Sequence, residues 1–79
     1  MSNFSKEFLV NIMGDLIRLK TGMSKNDVVS ILGQPIKTEN CKGLLNEKLI
    51  FKINCGQPKL VSYSALFTDQ ELVYVAKLN

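Results

Sequence analysis

The sequence predicts an α+β fold: two N-terminal helices packed on one face of a three-stranded antiparallel meander. Three observations lead there. Apolar residues recur at three- and four-residue spacing through residues 4–19. A short segment after Thr21 carries both a start and a stop signal for a helix. Beyond Pro35 the apolar period changes to two, the period of strands. At 79 residues the chain has room for one such domain, 1–79, and no second.

Residues 4–19 read as the first helix. Phe8, Ile12, Leu16 and Leu19 form its central stripe, which Phe4, Leu9, Met13 and Ile17 widen. Lys6, Glu7, Asp15, Arg18 and Lys20 form the polar side. Gly14 falls inside this helix, where it costs about 1 kcal/mol relative to Ala. The wide stripe is expected to cover a sheet. Part of it is also a candidate for docking a partner, a second copy of the chain included.

The second helix is read over residues 25–32. Ser24 serves as N-cap, its hydroxyl accepting from a free amide of the first turn, and Asp27 completes a capping-box pattern. Val28, Ile31 and Leu32 share one face. Gly33 suits the left-handed position after the last turn, and Pro35 stops the helix. Eight residues do not hold a helix alone in water, so tertiary packing must.

Ile36 to Cys41 is a candidate short edge strand, though its residues are mostly polar and it is not counted among the three strands of the meander. Lys42 to Glu47 is a loop with Gly43, Asn46 and the adjacent leucines Leu44 and Leu45. Residues 48–54 alternate, with Leu49, Phe51 and Ile53 on one face and Lys48, Ile50, Lys52 and Asn54 on the other. Cys55-Gly56-Gln57-Pro58 is a turn. Leu60–Phe67 and Leu72–Leu78 are the last two strands. Setting Phe67 opposite Leu72 across a four-residue loop pairs Ala65 with Tyr74, Tyr63 with Ala76 and Val61 with Leu78. The reverse face then carries Leu66, Val73, Val75 and Lys77.

The stretch Thr21-Gly22-Met23-Ser24 through Leu32-Gly33-Gln34-Pro35, with Phe67-Thr68-Asp69 and Leu72-Val73-Tyr74-Val75, resembles the two motifs of the BamE/SmpA/OmlA family of small outer-membrane lipoprotein domains. The same unit resembles the repeat of β-lactamase-inhibitory proteins. The resemblance implies a two-helix, three-strand domain without a catalytic role that holds other proteins. The chain departs from that family in its first residues. Glu7, Asn11 and Gly14-Asp15 interrupt the apolar run, so neither a signal peptide nor a lipid-attachment cysteine is read there. The expected location is therefore cytoplasmic, without a lipid anchor or membrane span.

Composition narrows the function classes. The chain has no histidine, which excludes Cys-His and Ser-His catalysis. Cys41 and Cys55 form no C-x-x-C pair and do not complete a zinc site; both are expected as reduced thiols. The glycines are isolated and make no nucleotide fingerprint. No catalytic set, metal or cofactor is expected, and the chain is not read as an enzyme. Net charge is +3, and the excess gathers in Lys37, Lys42, Lys48, Lys52 and Lys59. One arginine and no interleaved aromatics disfavour nucleic acid, which stays the weakest of three readings. The first is a non-catalytic protein-binding module, an accessory or scaffold subunit of a larger assembly. The alternative is a small inhibitor or immunity-type protein that blocks a macromolecular target. The expected binding residues are Lys42, Leu44, Leu45, Lys48, Ile50, Lys52, Leu66, Val73 and Val75, on an outward sheet face more apolar than solvent requires.

Overall fold

The computed structural model describes residues 6–40, 42–43, 47–56 and 60–78. Its chain order is β1 (Glu7–Ile12), β2 (Asp15–Lys20), α1 (Lys25–Leu32), β3 (Lys37–Asn40), β4 (Glu47–Asn54), β5 (Leu60–Thr68) and β6 (Glu71–Leu78). β1 and β2 form a two-stranded antiparallel sheet, and β3-β4-β5-β6 form a four-stranded antiparallel meander. The fold is thus mostly β, not two helices on three strands.

The largest correction falls on the first predicted helix. Its described residues are a hairpin with Ile12 opposite Asp15, joined by the two-residue turn Met13-Gly14. Both turn residues have positive φ, 53° and 92°, the primed turn that matches strand twist. Gly14 marks this turn rather than a weak point in a helix. Asn11 Oδ1 accepts from the Gly14 N–H at 2.9 Å and braces it. The helical spacing misled because apolar residues are dense enough here to satisfy both periods. Phe8, Val10 and Ile12 alternate along β1, and Ile17 and Leu19 continue that face on β2. Val10 and Leu19 are fully buried there.

α1 forms over the residues its caps predict. Ser24 accepts from the Asp27 N–H at 3.1 Å. Gly33 has φ 90° and ψ −168°, a region open essentially to glycine alone, though not the left-handed helical well expected from the sequence. Val28 and Leu32 bury themselves in the core, while Ile31 stays partly exposed.

The meander gains a fourth strand, β3, at the polar segment after Ile36. Leu49, Phe51 and Ile53 of β4 lie opposite Ala65, Tyr63 and Val61 of β5, and all six are buried in one cluster with Val10, Leu19, Val28 and Leu72. This is the face that the β1–β2 hairpin and α1 cover. Phe67 faces Leu72 as the spacing predicts, but the connection is the two-residue primed turn Asp69-Gln70 rather than a four-residue loop. A bulge follows, with Val73 as the extra residue. Beyond it the register is one residue off the sequence reading. Ala65 faces Val75, Tyr63 faces Lys77, and Leu78 faces Ser62. Val75 is consequently buried, and Tyr74 is half exposed with an edge-on contact to the Phe8 ring at 5.4 Å.

The hairpin crosses the core face and is tied at both ends. At its base, Gly22 N–H donates to the Leu72 carbonyl at 2.9 Å, and Leu72 N–H donates to the Met23 carbonyl at 2.8 Å. At its tip, Met13 N–H donates to the Asn54 carbonyl at 2.7 Å. Lys25 links α1 to β4 through an ion pair to Glu47 at 2.7 Å.

Candidate functional site: the outer sheet face

Alternation along β4 and β5 sends the residues between the core positions to the opposite face. Lys48 faces Leu66, Ile50 faces Ser64, Lys52 faces Ser62 and Asn54 faces Leu60. Ala76 and Leu78 of β6 extend this face beside Ser64 and Ser62. No described element covers it. Ile50, Leu66 and Leu78 are partly exposed, and Leu60 is 60% exposed. Ser64 is nevertheless buried, since its small side chain lies between Ile50 and Ala76 on the two neighbouring strands. A shallow depression of about 380 Å³ lies among Ile50, Lys52, Leu60, Ser62 and Leu78.

The electrostatics of this face are uneven. Glu39 of β3 faces Lys48 and meets its Nζ at 3.8 Å, and the Lys37 Nζ at 3.2 Å. The Lys37 side chain is exposed and those of Lys48 and Glu39 are about one-third exposed, so both pairs stay in contact with water and contribute little, about 0–1 kcal/mol each. Lys52 makes no ion pair among the described residues. Lys42 is exposed in the connection between β3 and β4.

Of the expected binding residues, Lys48, Ile50, Lys52 and Leu66 therefore share one open face. Leu44 and Leu45 lie outside the described residues. Val73 is the bulge residue and is partly exposed. Val75 does not belong to the face: the bulge turns it toward Ala65, and it is buried at 7% exposure. Sequence reasoning missed Leu60, for which alternation with Val61 was the available signal, and set Leu78 opposite Val61 on the covered face, where the bulge instead turns it outward beside Ser62. It also missed the outward side of the hairpin. Leu9 and Leu16 sit diagonally across β1 and β2 there, with Met13 at the tip, and each is more than half exposed.

The described residues contain no group of three or more side chains able to hold a metal ion. Cys55 is a free, half-buried thiol beside Tyr63, and Cys41 lies outside the described residues. Burial pushes the Tyr63 phenol above its ordinary range, and a hydrogen bond from the Asn11 backbone partly offsets this. No described helix is long and apolar enough to cross a membrane. No family model matches the chain, and neither a curated protein nor a solved structure matches it.

Proposed function

We propose that the chain is a non-catalytic protein-binding module, an accessory subunit that takes an acidic partner surface on the outer face of its four-stranded sheet. One observation carries the reading. Ile50, Leu60, Leu66 and Leu78 lie together on a sheet face that no described element covers, beside the lysines 48 and 52. Exposed apolar residues interleaved with unevenly paired lysines give this face both the apolar contact area and the charge that a protein interface uses. Contact would remove the leucines and Ile50 from water, and the lysines would steer an acidic partner and fix its register. The cytoplasm is the proposed compartment, in keeping with the free Cys55 thiol.

The test compares affinity capture from the native cell by the wild-type chain and by Leu60→Asp and Ile50→Asp variants. Leu60→Asp changes an exposed side chain, so its fold should persist, as circular dichroism will show. A partner retained by wild type should be lost from both variants. Lys52→Glu should slow association, with an effect that shrinks at high salt. Undiminished capture by both aspartate variants would rule the face out. A salt-dependent shift of RNA or DNA by the wild type, lost in Lys52→Glu, would move the reading to nucleic acid.

A further inference from the structure

The core face of the sheet is left open at one end. At the end where β4 and β6 begin, α1 closes it: Lys25 pairs with Glu47, and the Lys25 N–H donates to the Gln70 carbonyl at 3.0 Å. Elsewhere a groove of about 490 Å³ runs between β1 and β6, with Tyr63, Val75, Phe8 and Leu9 among its lining and Lys77 on the β6 side. It lies on the opposite side of the sheet from the face described above.

Backbone phase adds a second property. Leu72 sends both its N–H and its carbonyl away from β5, to Met23 and Gly22. In antiparallel pairing such residues alternate along a strand. Their partners on β5 are Phe67, Ala65 and Tyr63, so on β6 the phase passes from Leu72 to Val75 and Lys77, the bulge absorbing the extra residue. Val75 and Lys77 therefore hold N–H and carbonyl groups outward, and no described strand pairs with them. The same reasoning applies across the groove. The Lys6 carbonyl accepts from Thr21 N–H on the β2 side, so Glu7, Leu9 and Asn11 turn outward. Asn11 bonds the Tyr63 phenol, which fits that phase.

The β6 wall of the groove is thus a free strand edge, the β1 wall is engaged at Asn11 by the Tyr63 phenol, and the lining is largely apolar. Lys77 makes no ion pair among the described residues, whereas Glu7 lies near Arg18 and Lys20, at 3.9 and 4.0 Å. We propose that this groove binds an extended segment of another polypeptide by strand addition to β6, with apolar side chains at alternate positions and a carboxylate meeting Lys77. Outward backbone pairs at Val75 and Lys77 recur at strand spacing, about 7 Å apart, which an extended chain matches and a helix does not. The chain already uses this edge in the same way one step earlier, where Met23 and Gly22 pair with Leu72.

The probe is a pool of capped peptides that alternate threonine with a varied apolar residue and carry one central glutamate. It is added to the isotope-labelled full chain, and amide hydrogen exchange is read by NMR. Exchange at the Val75 and Lys77 amides should slow by at least about tenfold. A pool N-methylated at alternate amides should give no protection, because the edge reads backbone. Lys77→Glu, an exposed change, should weaken the glutamate pool and favour a lysine pool by about fivefold. Unchanged exchange at Val75 and Lys77, or equal protection by the N-methylated pool, overturns the proposal. Protection that grows with protein concentration and no peptide also overturns it, by giving the edge to a second copy of the chain.

Discussion

Replacing Gly14 by Ala gives opposite signs for a helix and for the hairpin. Inside a helix the change stabilises by about 1 kcal/mol, because glycine has the greater backbone freedom to lose. In the structure Gly14 has φ 92° in the turn between β1 and β2. A Cβ there would meet nothing within 4 Å, so packing contributes no penalty and the whole effect is backbone strain. That strain is about 1–2 kcal/mol for an alanine held at positive φ. Lower entropy of the unfolded chain returns about 0.4–1 kcal/mol. The net expectation is a loss of roughly 1 kcal/mol, which for a chain of this size lowers the urea midpoint by about 1 M. Equilibrium urea unfolding, followed by far-ultraviolet circular dichroism, reads it directly. The companion variant is Met13→Asn. Met13 has φ 53°, which Asn tolerates better, and an Asn-Gly pair is the preferred primed turn. That variant should be stabilised by a few tenths of a kcal/mol to about 1. A Gly14→Ala protein more stable than wild type would refute the hairpin and restore the helix.

Three further outcomes are expected. Gly33→Val should cost about 1–3 kcal/mol, because φ 90° with ψ −168° is closed to a β-branched residue; wild-type thermal stability would contradict the helix end described. Phe67→Ala should cost about 3–5 kcal/mol, a large share of the stability of so small a chain, since the ring is fully buried; urea unfolding measures it. Tyr63 has a folded pKa raised by burial, so its contribution is complete below the unfolded value near 10 and is lost as pH rises beyond it. Tyr63→Phe should flatten the stability decline seen in alkaline unfolding curves, and an unchanged decline would assign it to other groups.

Local signals in the sequence were readable, and those that depend on the third dimension were not. α1 was legible because Ser24, Asp27 and Gly33 write its ends within a few residues. β4 was legible because its alternation is strict, and this placed Lys48, Ile50 and Lys52 together on one face. Residues 7–20 were not, because Phe8 through Leu19 satisfy a stripe of helical width as well as two alternating strands. Only the turn chemistry at Met13-Gly14 separates the two. The two-residue turn Asp69-Gln70 lacks glycine, so nothing local distinguished it from a longer loop. The Val73 bulge leaves no mark in the apolar pattern, since Val73, Tyr74 and Val75 are all compatible with either face. The groove was out of reach because it exists only between a misread hairpin and a shifted strand.

That single extra residue also decides which surface owns which side chain. In an unbroken β6 ladder, Val75 and Lys77 would stand with Leu66 on the outer face, and Tyr74 and Ala76 would line the core side. With the bulge, Lys77 faces Tyr63 and Val75 faces Ala65. A cation is thereby moved from one side of the sheet to the other. The outer face exchanges Lys77 for Leu78, which the bulge sets opposite Ser62, and the groove gains its one charge without an ion partner among the described residues. The edges are treated unequally as well. β3 is four residues long and carries Lys37 and Glu39, which discourages strand addition. The start of β6 is occupied by Gly22 and Met23. What stays open is the short stretch around Val75 and Lys77, beside apolar residues of β1, and a bulge that re-aims an edge strand there gives this small fold a second surface distinct from the first.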